Sequence, residues 1–132
     1  MRTTIIAAAL AIGGLAAQPA LATEWIYCND ATNTVTVGLL LGAMDTLNVS
    51  GIILSNGDRV WASSAAYGPG EEVSMGQGFE DGDMMAVDLM DKDYTKLAEL
   101  RLWKAVEGEM YVAAGTLRLP GQGAWAVVCE GP

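Results

Sequence analysis

Residues 51–61 read Gly51-Ile52-Ile53-Leu54-Ser55-Asn56-Gly57-Asp58-Arg59-Val60-Trp61, and this stretch decides the fold class. Two apolar runs flank a polar turn. Asn-Gly is the residue pair that most readily adopts the two positive φ angles of a type I′ hairpin turn. We therefore predict two antiparallel strands joined by a tight turn at Asn56-Gly57.

The same alternation of apolar runs and turn residues continues in both directions along the chain. Short runs rich in Val, Leu, Tyr and Trp are separated by Gly, Pro, Asn and Asp, which is typical of antiparallel β meanders. The pattern predicts nine strands, at residues 24–29, 33–41, 47–54, 59–64, 72–79, 84–90, 97–106, 110–119 and 123–130. The segment 97–106 is rich in Leu, Ala, Glu, Lys and Arg, so a short helix is the alternative there.

A meander of this length must close on itself or split into two packed sheets, because exposed strand edges are unfavourable. We predict an all-β fold in which a small antiparallel meander closes into a barrel, with a two-sheet sandwich as the alternative. The two cysteines, Cys28 and Cys129, lie on the first and last predicted strands. A disulfide between them is expected in an oxidising compartment and would join those two strands.

The N-terminal 22 residues have the pattern of a secretory signal. Arg2 precedes an apolar stretch from Ile5 to Ala17, and Ala20-Leu21-Ala22 fits a signal-peptidase site. This predicts cleavage after Ala22, a single barrel-like domain over residues 23–132, a periplasmic or secreted location, and no membrane insertion after cleavage.

The charge is strongly negative, with 7 basic against 16 acidic residues and a formal charge of −9. Loss of Arg2 with the signal would bring the charge to −10. Nucleic acid is excluded as a partner, because phosphate binding needs clustered Lys and Arg. A partner selected by charge would be a cationic protein.

Histidine is absent from the chain, so nucleophile systems and metal sites that depend on it are excluded. We predict no enzyme activity, no cofactor and no metal. Half of the acidic residues fall in one region, and we treat them as a candidate acidic patch: Glu71, Glu72, Glu80, Asp81, Asp83, Asp88, Asp91 and Asp93. A Ca²⁺ loop at Asp81-Gly82-Asp83 or Asp91-Lys92-Asp93 is the alternative to a solvated face or a docking patch for a basic protein.

Tyr67 ends a run of small residues, Ala62-Ser63-Ser64-Ala65-Ala66, and is followed by Gly68-Pro69-Gly70. A tyrosine on such a loop is either an exposed binding anchor or a cap over one end of the barrel.

The stretches Tyr27-Cys28, Val128-Cys129 and Ser63-Ser64-Ala65-Ala66-Tyr67 resemble those of the periplasmic and membrane-bound inhibitors of C-type lysozyme. Members of that family are small exported β-barrels with a Ser-Gly-x-x-Tyr loop, and this chain has Ser64 at the position of the Gly. The resemblance implies that Ser63 and Tyr67 enter the lysozyme cleft and form hydrogen bonds to its acidic catalytic residues.

Three functional hypotheses follow. The first is an exported, acidic, non-catalytic β-barrel that binds an unassigned ligand or associates with the cell envelope. The second is a lysozyme inhibitor that uses Ser63 and Tyr67. The third is a carrier of a small apolar molecule inside the barrel, for which the methionines and several inward Leu and Val side chains would form an adaptable lining.

Overall fold

Nine β-strands form in the part of the chain that the computed structural model describes, residues 23–131, and they close into a barrel. The strands are β1 (Glu24–Asn29), β2 (Val35–Leu41), β3 (Val49–Asn56), β4 (Arg59–Ala62), β5 (Glu71–Asp81), β6 (Met84–Asp91), β7 (Lys96–Glu107), β8 (Met110–Leu119) and β9 (Gly123–Glu130). The predicted all-β barrel is confirmed. The predicted signal at residues 1–22 lies outside the described residues.

One pair of strands departs from a simple meander, because β4 and β5 run parallel, with Trp61 opposite Glu71 and Ala62 opposite Glu72. All other neighbouring strands, including β1 and β9, are antiparallel. If nine strands alternated strictly in direction, the first and last would run the same way. The single parallel pair restores antiparallel pairing where β9 meets β1.

The disulfide between Cys28 and Cys129 forms across this closing joint. The two residues are directly opposite in the β1–β9 register, and their Cα atoms are 4.0 Å apart. Both side chains are buried. The predicted link between the first and last strands is confirmed, and it is compatible with an oxidising, exported compartment.

The hairpin between β3 and β4 forms as predicted, but its turn lies one residue later than expected. Asn56 pairs with Arg59, so Gly57 and Asp58 are the two loop residues. Gly57 has a φ of 58°, whereas Asn56 and Asp58 do not have positive φ values. The prediction that Asn56 and Gly57 form a type I′ turn is therefore wrong. Asn56 stays in the strand, and its amide donates a hydrogen bond of 3.0 Å to Gln122 in the β8–β9 turn.

The segment for which a helix was the alternative is strand β7, which pairs with β6 on one side and β8 on the other. Leu100 and Leu102 are fully buried, while Trp103 is 66% exposed. This two-residue periodicity and the cross-strand pairing outweigh the helix propensity of the individual residues.

The barrel is filled by inward-facing side chains from every strand, and Trp61 is the largest of those that are fully buried. The fully buried set also includes Ile26, Val35, Val37, Leu39, Leu54, Val73, Leu89, Leu100, Leu102, Leu117 and Leu119. No helix within the described residues is long and apolar enough to cross a membrane.

Candidate functional site

The segment between β4 and β5, residues 63–70, returns the chain so that β5 can start beside β4; we call it the crossover. Ser63 continues the pairing with β3 after β4 has ended. Its N–H donates to the carbonyl of Ile52, and its Oγ accepts a hydrogen bond from the Ile52 N–H, each at 2.9 Å. Ala65–Tyr67 then form one 3₁₀ turn.

Gly70 ends the crossover in a conformation that suits glycine alone. Its φ is 153°, and a Cβ there would lie 2.7 Å from the carbonyl oxygen of Val60. This close approach of two backbones lets β5 start parallel to β4. Hydrogen bonds of Ser63 and the backbone contact of Gly70 therefore hold the crossover against the barrel at both ends.

Tyr67 holds the middle of the crossover against the outer wall of the barrel. Its ring meets Trp25 edge to face, with centroids 5.3 Å apart, and Trp25 stacks on Tyr27 at 5.6 Å. Gly51 makes room beneath, since a Cβ there would lie 3.0 Å from the Tyr67 ring. Tyr67 is half-buried, and its hydroxyl makes no hydrogen bond to the described residues. It therefore packs on the barrel side rather than over one end, and it keeps a free polar tip.

Two depressions adjoin the crossover, and Ser63 and Glu72 border both of them. The larger, of about 350 Å³, is lined by Ala62, Ser63, Ser64, Ala65, Gly68, Pro69, Gly70 and Glu72. The smaller, of about 220 Å³, lies where β3 faces β5 beyond the end of β4, and it includes Gly51, Ile52 and Val73. Small side chains and backbone form most of the wall of the larger depression. Glu72 is the one charged residue among those that line it.

Glu71 and Glu72 differ in their electrostatic partners although they are neighbours. Glu71 accepts a hydrogen bond of 2.9 Å from the guanidinium of Arg59, which also lies over the Trp61 ring at 4.6 Å. Glu72 is exposed and has no ion pair with the described residues. No basic side chain of the described residues therefore neutralises its negative charge.

The residues of the predicted acidic patch do not share one surface. Glu71, Glu72, Asp91 and Asp93 lie near the start of β5, since Val73 is opposite Asp91. Glu80, Asp81 and Asp83 lie at the far end of the β5–β6 hairpin, about 30 Å along the eleven-residue strand β5. Asp88, between these groups, is buried.

Neither of the two loops considered for Ca²⁺ gathers a set of ligands. One oxygen of Asp91 accepts hydrogen bonds of 2.9 Å from the N–H groups of both Asp93 and Thr95 and so stabilises the β6–β7 turn. Asp81 and Asp83 flank Gly82, whose φ of 54° forms the β5–β6 turn. Across residues 23–131, no three or more Cys, Asp or Glu side chains form a cluster that could hold a metal ion.

Most basic side chains are used within the barrel wall. Asp88 binds Arg101 at 2.8 Å and Lys96 at 3.3 Å on the outer face of β6 and β7. Glu99 extends this network to Lys96 at 2.9 Å and to Arg118 at 2.7 Å. Sequence reasoning missed this network because its members come together only through the register of three strands.

The network predicts a loss of stability in acid. Hydrogen bonds from Arg118 and Lys96 lower the pKa of Glu99 from 4.5 to about 2. Because the folded-state pKa is the lower one, this stabilisation is complete above about pH 4.5 and is lost as the pH falls towards about 2. We expect the wild type to melt a few degrees above Glu99→Gln at about pH 6, and the two melting curves to converge towards about pH 2.

The matched control is Glu107→Gln, since Glu107 is exposed at the β7–β8 hairpin and forms no ion pair with the described residues. Its difference from the wild type should stay small throughout the titration. A gap between wild type and Glu99→Gln that stays constant with pH would contradict the role of the network.

Fold and site together define a disulfide-closed, nine-stranded barrel with a crossover held at both ends, and beside it a carboxylate that has no ion pair within residues 23–131. Comparisons with protein-family models, curated proteins and solved structures found no match. The function is therefore argued from the surface chemistry.

Proposed function

We propose that this protein is an exported, non-catalytic binding protein that receives a basic side chain of a protein partner at the crossover. The observation that carries the proposal is the position of Glu72, an exposed carboxylate without an ion pair among the described residues, on the border of both depressions. A Lys or Arg side chain that enters the larger depression would pair with this carboxylate.

The rigidity of the crossover favours tight binding. Ser63 is hydrogen-bonded to Ile52, and the Tyr67 ring is packed on Trp25, so little conformational entropy is lost on docking. The exposed side chain of Ser64 adds a polar group to the wall of the larger depression.

The overall charge supports a cationic partner. Arg59, Lys96, Arg101, Lys104 and Arg118 all form ion pairs within the barrel. The remaining carboxylates produce a negative field that attracts a basic protein and speeds its association at low salt. A periplasmic or secreted location fits the disulfide and the predicted signal.

Inhibition of C-type lysozyme is the narrower candidate. The observation in its favour is that Ser63 and Tyr67, the two residues to which the sequence resemblance gives a role, lie on the same crossover, which Glu72 borders. The proposal of a carrier has less support, because the described depressions open at the surface and inward side chains fill the barrel.

Titration calorimetry of residues 23–132 with a C-type lysozyme, at low and at moderate salt, tests the proposal. We expect saturable binding that weakens as salt is added. Glu72→Gln should weaken it about tenfold, because one charge-assisted contact of about 1.4 kcal/mol is lost. Asp83→Asn removes the same charge at the β5–β6 turn, about 30 Å from Glu72 along β5, and should change the affinity by less than about twofold.

A lysis assay on bacterial cell walls separates the two candidates. Inhibition that Tyr67→Phe abolishes would identify a lysozyme inhibitor, since this variant keeps the ring on Trp25 and removes only the hydroxyl. Binding without inhibition would support the broader function. Absence of binding at low salt, or equal weakening by Glu72→Gln and Asp83→Asn, would contradict the crossover as the site.

A further inference from the structure

An exposed apolar strip covers the outer face of β7, β8 and β9, on a different part of the barrel from the crossover. Trp103, Ala114 and Val128 are opposite one another in the register of the three strands. Ala105 and Val112 are opposite one another in the next outward row. We define the apolar strip as Trp103, Ala105, Val112, Ala114, Ala126 and Val128.

The side chains of the strip are not part of the hydrophobic core. Its side chains alternate with the buried Leu102, Ala113 and Val127, so they point away from the interior. Trp103 is 66% exposed, Val112 55% and Val128 63%. Adjacent exposed side chains of this size mark an interaction surface more often than chance scatter, since their hydration is unfavourable.

Carboxylates border the strip at the end nearest the β7–β8 turn. Glu107 and Glu109 flank Gly108 in the turn of the β7–β8 hairpin. Glu130 ends β9, directly after Cys129, which is opposite Ala113. None of the three forms an ion pair with the described residues. The bases near the strip are all paired: Lys104 with Glu80 at 3.3 Å, and, at the other end of this face, Arg101 with Asp88 at 2.8 Å and Arg118 with Glu99 at 2.7 Å. A second copy docked face to face would bring like charges together, so the charge favours a basic partner.

The dimensions of the strip suit one helix. Three strands span about 10 Å from first to last, close to the diameter of a helix with its side chains. From Val112 to the row of Ala126, which is opposite Thr116, the strip runs for about 14 Å, the length of about nine helical residues. The apolar face of such a helix would cover Trp103 and Val128. Lysines beside that face would reach Glu107 and Glu130.

We infer that the apolar strip docks a cationic amphipathic helix of a partner protein or peptide. The occupant has apolar residues at helical spacing on one face and Lys or Arg beside them. This surface is independent of the crossover, so it stands or falls separately from the proposed function.

A fluorescence titration tests this inference. The probe is a 14-residue Leu/Lys peptide with apolar residues at helical spacing, and its control is a peptide of the same composition with that spacing scrambled. Of the four tryptophans Trp103 is the most exposed, because Trp61 is buried and Trp25 and Trp125 are half-buried. We expect a saturable blue shift with the amphipathic peptide, absent in Trp103→Phe.

Matched variants locate the binding. Val112→Thr combined with Val128→Thr should weaken binding about tenfold, because it places hydroxyls in the docked face. Val60→Thr, at an exposed valine of β4, should leave the affinity within about twofold. Glu107→Gln with Glu130→Gln should reduce the salt dependence.

Three results would overturn the inference. The first is no saturable shift, or equal binding of the scrambled peptide. The second is a shift that the Val112/Val128 double variant keeps but Glu72→Gln removes, which would place the peptide at the crossover. The third is a sedimentation experiment in which the protein alone is a dimer and the Val112/Val128 double variant is a monomer, which would assign this face to a second copy.

Discussion

Replacing both cysteines, Cys28→Ala with Cys129→Ala, is expected to lower the free energy of unfolding by about 4–5 kcal/mol. The disulfide closes a loop of 101 positions, nearly the whole described chain. In the chain-entropy model, removing the cross-link from so long a loop greatly increases the conformational entropy of the unfolded state. The joint itself is short, because β1 and β9 pair only over Tyr27, Cys28 and Asn29.

Urea unfolding of the oxidised wild type, the reduced wild type and the double variant measures this effect. The last two should agree, since both lack the same covalent link. Hydrogen exchange should rise first in β1 and β9. A loss of stability below about 1 kcal/mol would show that strand pairing closes the barrel without help from the disulfide.

Trp61→Ala should cost about 3–5 kcal/mol, the second large effect. Trp61 is 1% exposed and fills the barrel from the short strand β4. It is also one of only two β4 residues paired with β5, opposite Glu71. A cavity at this position removes packing where the barrel has little strand pairing, so binding at the crossover should weaken as well.

Trp103→Ala is the matched control, because it removes the same side chain from the outer face. Its effect on unfolding should stay within about 0.5 kcal/mol, as is usual for an exposed position. Chemical unfolding of both variants against the wild type makes the comparison. Equal losses would contradict the assignment of Trp61 to the core and Trp103 to the surface.

Alternation and turn residues explain why most of the fold could be predicted. Strands β8 and β9 match the expected residues 110–119 and 123–130, since inward positions such as Leu117 and Val127 are strongly apolar. The end of β4 was placed two residues too late, because Ser63 and Ser64 carry no alternation. The parallel β4–β5 pair could not be predicted, since it depends on how all nine strands close.

The candidate site could be predicted only in part. Ser63 and Tyr67 were expected on one loop, and they lie on the crossover. Glu72 belonged to the predicted acidic patch, but nothing in the sequence separates it from Glu71. That distinction comes from the register, which places Arg59 beside Glu71. The apolar strip likewise depends on which side of each strand faces outward.

The central claim is that a basic partner docks at the crossover, and mapping of amide chemical shifts tests it most directly. ¹⁵N-labelled protein would be titrated with unlabelled C-type lysozyme at low salt, with Glu72→Gln alongside. The claim predicts shifts concentrated at Gly51, Ile52 and residues 62–72, and much reduced in the variant. Shifts confined to other surfaces, or none at saturating lysozyme, would contradict it.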